Sequence, residues 1–246
     1  MRLKVDELAQ PVSGDMPCGE DLEYDPDFQQ METMLESTAE QEFGDTIIEA
    51  KGPDWKGVLT QVNALNPRTR DLRVLTYGAI ADLHLNGLPE FCSSLDALNT
   101  CLETFWDEIY PELDVDDNND PMMRYNVLQV LNDYQMVTVG LENAPLVELK
   151  GVGRFCLHDI WVAEGKERPK KDQEAPDLAL IQGAFGDASQ EDLIALGEGI
   201  AGSIEQLNRT VELWSQLATN GDYLLSLIHI SEPTRLGMLS RMTSSS

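Results

Sequence analysis

Asp114, Asp116, Asn118 and Asp120 fill the first, third, fifth and seventh places of a calcium-loop pattern, and side-chain oxygens at that spacing suit a hard cation. The rest of the pattern fails. Its sixth place, which needs glycine, is Asn119, and its twelfth, which needs a bidentate glutamate, is Tyr125. A second pair, Cys156 and His158, offers a thiol beside an imidazole, the ingredients of an activated nucleophile. Two residues apart in a predicted strand, they are not set to converge, so packing is the expected role. Glu20, Asp21 and Glu23 could be drawn as an acid-base or two-metal cluster, but 44 acidic residues make such matches cheap. The three histidines, His84, His158 and His229, have no metal-ligand spacing. No phosphate loop, dinucleotide fingerprint or nucleophile elbow occurs. The sequence therefore predicts no catalytic residue, no cofactor site and no metal site.

The remaining candidates are read as architecture or as partner surface: Arg70, Asp71, Arg73, Trp106, Asp116, Asp117, Asp120 and Arg124. Asp120 followed by Pro121 is an N-cap with proline at the first helical position, which sets Asp116, Asp117 and Asp120 against the positive end of a helix dipole. Asp71, flanked by Arg70 and Arg73, starts another helix and brackets neighbouring loops. The acidic corner at 112–120 is the expected receiver of those arginines.

The elements that must hold these groups follow from apolar periodicity. Phe28, Met31, Met34 and Leu35 predict a helix from Pro26 to about Glu42, stopped by Gly44, with Thr46 to Ile48 extended. Asp54 caps a helix carrying Trp55, Val58, Leu59, Val62 and Leu65, which ends near Asn66 because Pro67 disfavours a helical residue before it. Leu72, Leu75, Ala79 and Leu83 mark a helix from Asp71 to Asn86, closed by Gly87. Leu88, Phe91, Leu95, Leu98, Leu102, Phe105, Trp106 and Ile109 mark the next, stopped by Pro111. Met122, Tyr125, Leu128 and Leu131 continue beyond the corner. Leu146 to Leu157, with Lys150 to Gly153 as its loop, is the one hairpin. Helices at 176–185 and 189–218 follow, the latter carrying Leu193, Leu196, Ile200, Ile204, Leu207, Val211 and Trp214. The acidic stretch from Pro17 to Asp25 is read as an extended arm pinned by Leu22 and Tyr24.

The fold expected is thus mainly α, a compact bundle of about seven to nine helices with one short β-hairpin. Residues 1–164 form its body, 165–176 an exposed charged linker, and 177–225 a helical extension that packs back. Residues 226–246 lack acidic bias and helix period and are read as a non-native tail. A hydrophobic fraction of 42% is enough for a sizeable core. There is no run of 18 apolar residues, and the first fifteen residues are too polar for a secretory signal, so the cytoplasm is the expected compartment. The four cysteines, Cys18, Cys92, Cys101 and Cys156, are scattered and expected reduced. A net charge of −27, from 44 acids against 17 bases, repels nucleic acid and anionic membrane and leaves basic protein surfaces as the natural partners.

Several blocks resemble, in order, the amino-terminal ImpA-type domain of TssA proteins of the bacterial type VI secretion system. They are Pro17 to Asp25, Phe43 to Thr46, Asp54-Trp55, Arg70 to Arg73, the corner itself (Trp106-Asp107, Pro111, Asp116 to Asn118, Asp120-Pro121, Arg124, Asn126), and Gly153 to Phe155 running into Leu157 and Asp159-Ile160. The resemblance covers about residues 10 to 218. It implies a non-enzymatic scaffold that helps recruit or position baseplate and tail tube or sheath components, with membrane-complex proteins as further partners and oligomerisation mainly through a carboxy-terminal region missing here. The readings set against it are a carboxylate-rich metal-dependent hydrolase and an acidic regulator of a basic protein.

Overall fold

The computed structural model describes residues 3, 5–37, 41–43, 46–48, 52–149, 151–169 and 174–219. Ten α-helical segments lie among them: α1 (Val5–Leu8), α2 (Pro26–Leu35), α3 (Trp55–Leu65), α4 (Leu72–Asn86), α5 (Leu88–Thr104), α6 (Met122–Gln129), α7 (Val139–Asn143), α8 (Leu157–Ala163), α9 (Leu178–Asp187) and α10 (Gln190–Leu217). Eight of these have seven or more residues, so the mainly α bundle is what the chain forms. A hairpin joins β3 (Val147–Leu149) to β4 (Gly153–Phe155), with Val147 opposite Phe155. A second short antiparallel pair, β1 (Gln41–Phe43) with β2 (Thr46–Ile48), adds to it. No helix among the described residues is long and apolar enough to cross a membrane. The predicted tail lies outside the described residues.

Helix α4 is the axis of the body. Leu72, Val74, Leu75, Ala79, Ile80, Ala81 and Leu83 bury it on all sides, because α3 covers one flank and α5 another. Asp71 caps it, its side chain accepting from the Arg73 amide, and Gly87 at φ +94° ends it. Buried Asp82 accepts from Ser94 Oγ at 2.6 Å, Asn86 Nδ2 at 2.7 Å and the Leu3 amide at 3.3 Å, tying α5 and the amino terminus to α4.

Helix α10 folds back along α5, and two glycines allow the close approach. A Cβ on Gly199 would sit 2.8 Å from Pro89 N, and one on Gly202 would sit 2.5 Å from Cys92 Sγ. Polar contacts fix the register: Asn99 Nδ2 donates to Gln206 O at 2.8 Å, and Thr210 Oγ1 donates to Asn99 Oδ1 at 2.8 Å. Trp214, near the end of α10, meets Trp106 edge-on at 5.9 Å between ring centroids and Tyr125 at 5.8 Å.

Three boundaries differ from the expectation. Helix α2 ends at Leu35, because Glu36 takes extended angles (φ −65°, ψ 130°), and residues 41–43 are strand. Helix α5 stops at Thr104, yet Phe105 and Ile109 stay buried in the turn beyond, so the apolar stripe outlasts the helix. The second strand of the hairpin ends at Phe155, and Leu157 already belongs to α8.

Candidate partner-binding site

Arginines build the frame of this region from the inside. Arg70, buried, donates to the carbonyls of Leu8 and Gln10 from Nε, of Asn66 and Thr69 from Nη1, and of Glu7 and Gln10 from Nη2. It thereby fastens α1 to the start of α4. Burial lowers its pKa, and the nearby Glu7 charge offsets only part of that effect. Arg124, on α6 and fully buried, does the same for the corner. Its Nε donates to Pro111 O at 2.7 Å, Nη2 to Ile109 O at 2.6 Å and Nη1 to Trp106 O, with the guanidinium 4.8 Å above the Trp106 ring. Burial pushes its pKa down to about 10. The turn after α5 is thus held by a cation that reads backbone carbonyls.

Arg73, by contrast, finds acids. It pairs with Asp71 at 2.8 Å and Glu23 at 2.9 Å, with Asp21 at 3.9 Å, and lies 4.6 Å above the Phe28 ring. Burial works against its charge, and the hydrogen bonds it donates to Asp71 and Glu23 outweigh that and raise its pKa. Arg68 pairs with Asp25, whose pKa the hydrogen bond from Arg68 lowers, and lies 3.5 Å from Asp27. The acidic arm therefore receives the arginines, correcting the expectation that the corner would. The cause is local: the Glu20 amide donates to Arg68 O at 3.1 Å and the Arg70 amide to Cys18 O at 2.7 Å, which lays the arm beside residues 68–70. Leu22 pins the arm as expected, but Tyr24 is 83% exposed and pins nothing.

The corner satisfies itself. Asp114 and Asp120 exchange backbone hydrogen bonds at 3.1 and 3.2 Å, Asp114 Oδ1 accepts from the amides of Asp116 and Asp117, and Asp120 Oδ1 accepts from the Met122 amide at 2.7 Å. Asn118 and Asn119 adopt positive φ to close the turn, a conformation asparagine tolerates. Asp116 and Asp117 face solvent. The oxygens of the calcium-like spacing thus bind amides, and among the described residues no group of three His, Cys, Asp or Glu is placed to hold a metal ion.

Between arm and corner opens a cavity of about 540 Å³. Asp15, Asp107, Glu108 and Glu112 line it together with exposed Met16 and Val115. The acid-rich runs at 15–27 and 112–120 were visible in the sequence; that their ends meet across Tyr110 is tertiary information. Cys156 and His158 belong elsewhere. Cys156 caps α8 rather than lying in a strand, its amide and Sγ both donating to Asp159 Oδ2 at 2.9 and 3.0 Å, and burial pushes its thiol up to about 11. His158 Nδ1 meets Glu167 at 3.2 Å. Not legible beforehand is that His84 stacks on Trp55 with ring centroids 4.3 Å apart and donates to Met136 O at 2.6 Å.

Comparison with known proteins fits this architecture. Residues 9–133 match the family described as ImpA, N-terminal, type VI secretion system. The chain is 34% identical over 203 residues to the type VI secretion system component TssA1 of Pseudomonas aeruginosa, a match spanning 82% of this chain and 58% of that relative. It superposes with a TM-score of 0.74 and 20% identity on the amino-terminal domain, including the conserved ImpA_N region, of the TssA component from Burkholderia cenocepacia, covering all of this chain and 94% of that one. At that identity the likeness is one of fold.

Proposed function

Because this chain belongs to the ImpA, N-terminal, type VI secretion system family, we propose that it is a non-enzymatic interaction module that recruits or positions baseplate and tail tube or sheath components of such a system. The observation that carries this reading is the 34% identity, over most of the chain, with a protein described as a type VI secretion system component. The architecture supports a rigid platform: buried Arg70 and Arg124 lock the loops through backbone carbonyls, while the carboxylates of the corner face outward. With a net charge of −27, specificity comes from charge complementarity with basic patches on a partner, which also speeds encounter. Residues 177–219 act with the body as one unit, since α10 is bonded to α5 along its length.

The test is a pull-down of separately purified baseplate, tube, sheath and membrane-complex proteins on the immobilised chain, at low and high salt. A saturable complex with one component, weakened by salt as screened charges require, is the expected result. Capture of none of them refutes the reading.

A further inference from the structure

A second cavity, of about 290 Å³, opens where the end of α10 meets the corner. Trp106, Leu113, Pro121 and Leu217 give it apolar walls, and Asp107 and Asn119 a polar one. Trp106 is only half-buried: the Arg124 guanidinium covers one face, Trp214 meets it edge-on, and the rest of the ring faces this cavity. An indole left partly in water gains from an apolar cover.

The chain itself runs along the rim. Gln216 to Thr219 form one wall. Ala218 takes the angles of an inverse γ-turn (φ −83°, ψ 67°), with the Thr219 amide donating to Leu217 O at 3.0 Å, so the backbone leaves the α10 axis at the cavity. The next residues, Asn220-Gly221-Asp222-Tyr223-Leu224-Leu225, lie outside the described residues. Asn-Gly is a turn dipeptide, which lets a chain reverse. The four residues from Thr219 to Tyr223 span up to about 14 Å, enough to return to a cavity that Thr219 already borders.

We propose that residues 220–225 turn back at the end of α10 and seat Tyr223 in this cavity, its ring against Trp106 and its hydroxyl at the Asp107 and Asn119 wall. A phenol suits both walls, being apolar along the ring and a hydrogen-bond donor at its tip. The docked turn fixes the point and direction at which the backbone leaves the domain, so that α10 and the corner together hold the exit.

The experiment follows acrylamide quenching of tryptophan fluorescence in the full chain, alongside urea unfolding. Tyr223→Ala raises the quenching constant about twofold and the unfolding equilibrium constant about tenfold, whereas Tyr223→Phe, which keeps the ring, raises the latter only about twofold. Tyr24→Ala, on the exposed arm, leaves both within about 1.5-fold of wild type. In a Trp106→Phe background the quenching rise on Tyr223→Ala disappears, because the shielded indole is gone. A rise that persists there puts Tyr223 against another tryptophan and overturns the proposal. Equal quenching and stability in wild type and Tyr223→Ala overturn it as well, and shielding of Trp106 that then appears only with a captured secretion component assigns the cavity to a partner instead.

Discussion

Replacing Arg73 by methionine isolates the pairing that anchors the acidic arm. The variant keeps an unbranched apolar stem over Phe28 and removes the charge, so the Asp71 carboxylate, whose side chain is 0% exposed, loses its cationic partner. Breaking a buried pair from one side costs about 3 to 5 kcal/mol, because the remaining charge stays desolvated. The contacts to Glu23 and Asp21, on side chains 41% and 53% exposed, add less than about 1 kcal/mol each. A loss near the lower figure, about 3 kcal/mol, is expected, since the Arg73 side chain itself keeps 13% exposure and water can reach the site. In a domain of this size that lowers Tm by roughly 6 to 12 °C. Urea denaturation gives the free energy directly, provided the slope m is unchanged. Asp71→Asn retains an oxygen for the Arg73 amide and so keeps the cap of α4; combined with Arg73→Met it should recover much of the loss, with a coupling of at least about 2 kcal/mol. Arg68→Met, which removes a more exposed pair, should cost less than about 1 kcal/mol. A loss below about 1 kcal/mol in Arg73→Met, or simple additivity in the double variant, refutes the reasoning.

Further outcomes follow from other parts of the fold. Gly199→Ala forces a Cβ to within 2.8 Å of Pro89 N and should cost about 1 to 3 kcal/mol in thermal or urea unfolding, while Gly183→Ala, with nothing within 4 Å, should stabilise α9 by about 0.5 to 1 kcal/mol. Burial lowers the pKa of His84 below 6.5, so its neutral form is favoured in the folded state; the stability it contributes is complete above 6.5 and is lost as pH falls through the folded value. The urea midpoint of wild type should therefore drop between pH 7 and pH 5 more than that of His84→Phe, which keeps an aromatic ring to stack on Trp55. Cys156→Ser preserves an N-cap donor and acceptor and should change stability by less than about 0.5 kcal/mol, whereas Cys156→Val should cost about 1 kcal/mol; urea titration distinguishes them.

What could be read from the chain was whatever depends on near neighbours. Caps at Asp54 and Asp71, the apolar stripes of α3 to α5 and α10, and the stops at Pro67 and Gly87 all act within a few residues, and the structure places them accordingly, whereas α5 ends well before Pro111. The destination of each arginine was not legible. Arg124 and Asp120 are four residues apart and suggest an ion pair at helical spacing, yet the guanidinium turns to carbonyls of a turn thirteen to eighteen residues earlier. Backbone carbonyls carry no sequence signal, so a cation that binds them is indistinguishable, on paper, from one that seeks an acid. The same blindness hid the groove, whose carboxylates come from residues 15, 107, 108 and 112 and are brought together by the arm's bonds to residues 68–70 and by the turn that Arg124 holds.

That arrangement resolves how a chain with 44 acids and 17 bases can serve as a rigid surface. Had Arg70 and Arg124 paired with carboxylates, the cations would have neutralised the face they stiffen. By binding carbonyls instead, they satisfy acceptors at the end of α3 and in the turn beyond α5, and make no direct ion pair with the neighbouring Asp107 and Glu112. Each guanidinium keeps its positive charge whichever oxygen it binds, and Asp107 and Glu112 act on Arg124 from a distance, so the negative potential of the surface comes from the excess of acids over bases. Shape and surface charge thus fall largely to different groups: Arg70 and Arg124 inside hold the loops, and the acids outside carry the charge. A substitution that moves one of these buried arginines onto a carboxylate would then weaken both at once, loosening the turn and neutralising part of the groove it frames.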